Sequence, residues 1–224
     1  MTLDELEALY KSKRSKWDES HRIRVHRAIS WMKNAEKYID DPDVSFMGAL
    51  NAMNALWGQL GVNDRDAVEA LADNLRGTSA EKEIKNLYGS REAQKWLGML
   101  IGNKHLYWQY WRYLQGEMSE DEYKKKAQAY RSYAMRSVKE GKYLYLLKAT
   151  MTQAVVLRSQ VFHGFTSYES RDNRDIIALT AKMMRKLAII VATAQIEEPN
   201  RDWGITPWTF GKDQKSLPQR NRRF

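Results

Sequence analysis

The sequence predicts an all-α protein, and three observations predict it. Apolar residues recur at three- and four-residue intervals along most of the chain instead of alternating. Only 4 prolines interrupt the 224 residues. A Ser or Thr followed three residues later by Glu opens several periodic segments, as at Thr2/Glu5, Thr78/Glu81 and Ser119/Glu122. A chain of this length can bury a sizeable core in one domain, and 43% hydrophobic residues argue against global disorder.

Composition also excludes some classes. Without cysteine there is no disulfide framework and no thiolate zinc site. No stretch approaches the roughly 18 apolar residues of a membrane span. Met1 to Glu5 lacks the apolar core of a signal peptide, so a cytoplasmic protein is expected. A net charge of +9 suits an anionic partner such as nucleic acid, although many soluble proteins are equally basic.

In chain order, a long helix is expected over residues 3–38. Its early charges, among them Arg14, Arg22, Arg24 and Arg27, read as a solvated face or an RNA contact. His21 and His26 read as surface histidines. Asp41-Pro42 ends that helix, because the residue before a proline is pushed out of the α region. A second helix over 45–60 carries Gly48, Ala49, Ala52 and Ala55, small enough for a neighbour to approach closely. Asn51 and Asn54 in this apolar segment either bond across the bundle or line a cleft. Short amphipathic helices follow over 64–75, around Ile84 to Tyr88, and from Ser90 through Ile101.

Tyr107, Trp108, Tyr110, Trp111 and Tyr113 then cover nearly every side of a helix. A packed helix, a protein interface and a base-stacking platform all fit. His105 beside them has no obvious partner. Over 119–140, Lys124, Lys125, Arg131 and Arg136 interleave with tyrosines. That pattern fits a nucleic-acid face, or a surface helix whose lysine stems lie along apolar ground. A last helix, capped by Asp172, is expected through about Ala194. Residues beyond Gly211 are expected to form a flexible basic tail.

The long apolar helix beginning near Lys142 ends in Leu157-Arg158-Ser159-Gln160-Val161-Phe162-His163-Gly164. Leu144, Leu147, Met151, Ala154, Arg158 and Val161 share one stripe, which puts Arg158 at a core position. A buried guanidinium needs a carboxylate, a carbonyl or an anion. Arg158 and His163 point roughly 140° apart on one helix. Two copies facing across a two-fold axis would bring both side chains of both chains into one cleft.

The octet, with Asp172-Asn173-Arg174 after it, resembles the motif of the HEPN family, in a bacterial branch reading Leu-Arg-Asn-Gln-x-x-His-Gly with Asn-Arg shortly after. The stretches Arg27-Ala28-Ile29-Ser30-Trp31-Met32-Lys33-Asn34-Ala35-Glu36 and Phe46-Met47-Gly48-Ala49-Leu50-Asn51-Ala52-Met53-Asn54-Ala55-Leu56-Trp57 fit the same branch. Ser159 stands where the family usually has Asn, Asp or His. The resemblance implies an up-and-down helical bundle over 1–210, with family-like blocks at 20–60 and 142–196 and a helical insertion over 63–141. It implies a homodimeric, metal-independent ribonuclease without a cofactor, in a toxin or defence setting with a possible antitoxin or defence partner protein. Arg158 would clamp the phosphate and His163 would transfer protons. Ser159, Gln160, Asn51, Asn54, Asn173 and Arg174 would lie around the cleft, with RNA running over Lys124, Lys125, Arg131 and Arg136.

The chemistry is self-consistent. No phosphate-binding Gly-rich loop, zinc-protease helix or serine nucleophile elbow is present. RNA carries its own nucleophile, the 2′-hydroxyl. Its attack on phosphorus needs a proton acceptor and donor, and a fixed cation on the phosphoryl oxygens. Histidine and arginine are the residue types for those tasks. A non-catalytic HEPN-fold scaffold that binds RNA or protein fits the same letters.

Overall fold

Helix α3 (Pro42–Trp57) runs through the middle of the protein, and its small residues explain why. The structure, a computed structural model, describes residues 1–163, 167–169, 171 and 173–207, and among these there are ten α-helices and no strand. A Cβ at Gly48 would stand 2.8 Å from Asn34 Oδ1 and 2.9 Å from the Ala35 backbone nitrogen. Glycine there lets α2 (Glu19–Lys37) approach α3 closely, while Ala49, Leu50, Ala52 and Met53 are buried. The third member of this core is α10 (Arg174–Glu197), and α1 (Leu3–Lys13) packs beside it.

The expected single helix over 3–38 is two helices. A 3₁₀ turn at Arg14–Lys16 and an extended Trp17 separate them, because the Asp18 carboxylate caps α2 by accepting from the His21 N–H at 2.9 Å. Trp17 packs edge-on to the His21 ring at 4.9 Å. Pro42 does not merely end a helix. It is the first residue of α3, whose free N–H groups at Asp43 and Val44 donate to Asp41 Oδ1.

A second group of helices covers the core: α4 (Asp64–Asn74), α5 (Ser79–Gly89), α6 (Arg91–Gly102) and α9 (Tyr143–Phe162). Val68, Leu71, Ile84, Tyr88, Trp96, Leu97 and Leu100 are buried in the same hydrophobic cluster as α2, α3 and α10. Trp96 Nε1 donates to Thr180 Oγ1 on α10, at 3.1 Å. The Thr2/Glu5 capping box forms in both directions. The one at Thr78 does not: its hydroxyl donates back to Leu75 O, and Glu81 accepts from Gly77 N instead.

Only Trp108–Leu114 of the aromatic run is α-helical (α7), after a 3₁₀ turn at Lys104–Leu106. With α8 (Glu120–Lys139) it builds a small second core from Tyr107, Met118, Tyr123 and Ala127. No helix among the described residues is long and apolar enough to cross a membrane. Asp172, the expected cap of α10, and the tail beyond Gly211 lie outside the described residues; Asn173 occupies the cap position.

The basic letters of α2 hide a buried residue. Arg24 is 1% exposed and donates to Leu56 O at 2.8 Å and Gly204 O at 2.9 Å. Leu56 O is a free carbonyl at the end of α3, since Leu60 N bonds Ile205 O instead. Gln195 Nε2 donates to the same oxygen. Desolvation lowers the Arg24 pKa to about 10, opposed by Asp18 and Asp202. His21, expected at the surface, is also buried, with Nε2 2.9 Å from Gln195 O. The solvated-face reading therefore fails at these two positions: both side chains close the end of α3 against α10.

Candidate active site at the end of α9

Helix α9 is buried on most sides, through Leu144, Leu146, Leu147, Met151, Ala154, Val156 and Leu157. Two glutamines tie it to the last turn of α6 and to the turn before α7. Gln153 Nε2 donates to Leu100 O at 3.0 Å, and Gln160 Nε2 to His105 O at 2.7 Å. The predicted stripe holds in the core as far as Ala154. Past it one face of the helix opens, so Arg158 and Val161 are only half-buried while Val156, Leu157 and Gln160 stay buried.

Arg158 is therefore not the core arginine that its spacing predicts. Its Nη1 lies 3.2 Å from Asp64 Oδ2, with side-chain exposures of 27% and 44%. Asp64 opens α4, and an ion pair this exposed is worth at most about 1 kcal/mol. Ser159 Oγ donates to Val155 O one turn back, at 3.2 Å. Gln160 is buried. His163 caps the helix and is exposed. Gly164 lies outside the described residues.

Asn51 and Asn54 are half-buried on α3, and the Asn54 Oδ1 atom is buried without a hydrogen-bond partner. Arg158 meets Asp64 rather than either asparagine. Arg174 is fixed by Asp43: its Nη1 is 2.6 Å from Asp43 Oδ2, which also accepts from Glu169 N. Tyr168 OH donates to Asp41 Oδ2 at 2.6 Å. These bonds tie the segment after the motif to the start of α3. Asn173 precedes α10 and accepts from Ile177 N through its carbonyl.

On α8 the basic residues diverge. Lys124 pairs with Glu120 at 2.7 Å, whereas Lys125 and Arg136 are exposed. The Arg131 guanidinium sits over the Tyr107 ring at 5.8 Å, within the aromatic core. The structure gathers Arg158, Ser159, Gln160 and His163 at one helix end, and adds Asp64 and His105 to them. Neither addition was legible, because their bonds span long stretches of chain.

A groove of 460 Å³ lies between α5 and α10 beside Met1 and holds none of these residues. A smaller cavity of 110 Å³ is lined by Asp18, His21, Arg24, Arg201 and Asp202. Comparison with family models, with curated proteins and with solved structures finds no match to this chain.

Proposed function

We propose that the chain is a metal-independent endoribonuclease of HEPN type, acting as a cytoplasmic homodimer in a toxin–antitoxin or phage-defence system. What carries the reading is the placement of one pair. A helix buried along most of its length delivers Arg158 half-buried and His163 exposed at its last turn. Among the described residues Arg158 is held there by the exposed Asp64 carboxylate, which a phosphate can displace at little cost.

In the reaction, the 2′-hydroxyl oxygen bonds to phosphorus and the bond to the 5′-oxygen breaks. The 2′-hydroxyl proton leaves to a base and the 5′-oxygen takes one from an acid. Products are a 2′,3′-cyclic phosphate and a 5′-hydroxyl. His163 transfers protons and Arg158 neutralises the phosphoryl oxygens. Because the two diverge on one helix, the cleft draws on both chains of the dimer. Arg174, Asn173 and the α3 asparagines shape its floor.

Single-stranded RNA pools incubated with the protein in EDTA test this, with the product ends analysed. Cyclic phosphate and 5′-hydroxyl ends are expected, from a species of twice the 26.3 kDa chain mass in light scattering. Cleavage abolished by EDTA contradicts the mechanism. The Arg158–Asp64 pair favours a second reading, a binding scaffold in which this arginine is structural. Wild-type protein inert on every pool would support that reading.

A further inference from the structure

The aromatic run before α7 is joined to the motif helix through one backbone atom. His105 O accepts from Gln160 Nε2 at 2.7 Å and from Trp111 Nε1 at 2.8 Å. Around His105 the rings cluster: Tyr110 edge-on at 5.1 Å and Trp111 tilted at 6.1 Å. Tyr110 and Trp111 are themselves 6.0 Å apart, and the Lys104 ammonium lies over the Tyr110 ring at 5.1 Å. His105 is exposed, and Tyr110 and Trp111 are half-buried. The indole N–H is already bonded inside the protein, so what Trp111 offers outward is ring surface rather than its polar edge.

Charge decides what fits there. No Asp or Glu occurs between Glu92 and Glu117, while Lys95, Lys104 and Arg112 do. Lys104 makes no ion pair among the described residues. A second exposed aromatic pair, Tyr133 with Tyr145 at 5.8 Å, is built differently. Its nearby cation, Lys148, is already engaged by Glu69. Aromatic faces beside a cation that no carboxylate engages among the described residues, on a stretch of chain without Asp or Glu, suit a nucleobase with its phosphate. Every base has a stackable face, and the backbone brings the anion.

We propose that His105, Tyr110 and Trp111, with Lys104, form a stacking subsite for an unpaired nucleobase of an RNA strand whose backbone continues to Arg158 and His163. This rests on the ribonuclease reading for its substrate, but binding can be measured without cleavage. Partial desolvation and the Lys104 charge lower the His105 pKa, which favours the neutral ring for stacking at neutral pH.

The test uses the full-length His163→Ala protein, so that no strand is cut, and a fluorescein-labelled, unstructured oligoribonucleotide read by anisotropy. Adding Tyr110→Ala or Trp111→Ala should weaken binding about 10- to 100-fold, while Tyr145→Ala in the other aromatic pair should leave it unchanged. Lys104→Gln leaves the ring packing in place. It should flatten the salt dependence of log K by about 0.7, because one phosphate fewer is neutralised. Circular dichroism confirms each fold. Parental affinity retained in the Trp111→Ala and Lys104→Gln variants, failure of the parent to bind, or equal competition by duplex RNA overturns the subsite. Binding that the ring variants lose, in a protein whose wild type never cleaves, would retain the subsite and refute the nuclease.

Discussion

Arg24 and Arg158 are the same side chain in opposite circumstances. Arg24 is 1% exposed and spans two backbone carbonyls, one at the end of α3 and one at Gly204. Arg158 stands on the half-buried face of the last turns of α9, with 27% of its side chain exposed and the Asp64 carboxylate beside it. The spacing of apolar residues assigns the buried role to Arg158, and the density of charge assigns the exposed role to Arg24. The structure reverses both assignments. A guanidinium's role depends on which backbone or anionic oxygens the fold leaves unpaired nearby, and neighbouring residues in the sequence do not reveal them.

The sharpest way to break this contrast is to remove each charge while keeping the bulk. Arg24→Met leaves the Gly204 carbonyl without its donor, and urea unfolding should show a loss of about 2–3 kcal/mol. Arg158→Met should lose less than about 1 kcal/mol. Comparable losses at the two sites would refute the distinction.

Asp43 comes next. It is buried and holds both the Arg174 guanidinium and the Glu169 N–H. Asp43→Ala should destabilise by about 1–2 kcal/mol. It should also increase proteolytic cutting between α9 and α10. Unchanged cutting would mean that Asp43 does not restrain this segment.

A smaller effect distinguishes the Arg24 corner by pH. Burial lowers the His21 pKa below its ordinary 6.5, against opposing contributions from Gln195 O and Asp18. Below 6.5 the unfolded chain takes up a proton that folded His21 does not. Stability should therefore fall as pH drops from 6.5 towards the folded value, and should not depend on His21 above it. His21→Gln should flatten that fall in urea midpoints taken between pH 7.5 and 5.5. An identical slope in the variant would exclude His21 as its source.

Much of the architecture was legible, and the reasons are local. Apolar spacing and side-chain caps located most helices: Thr2, Ser90 and Ser119 all accept backbone N–H bonds as their letters imply. The break at Trp17 was missed because the periodicity continues through it while the Asp18 cap interrupts the backbone. Partners far apart in sequence were not legible. Arg24 is bonded to residues 32 and 180 positions away, and Gln160 to one 55 away. At the candidate site, the helix and its terminal Arg-x4-His could be read. The partial exposure of Arg158 could not, because it depends on which distant parts of the chain pack around the last turns of α9.

The most direct test of the proposed nuclease activity is the rate of RNA cleavage in EDTA by wild-type protein and by folded, dimeric His163→Ala. The account predicts a fall of about 10²–10⁴-fold, the contribution of a positioned proton-transfer group. Equal rates would contradict it.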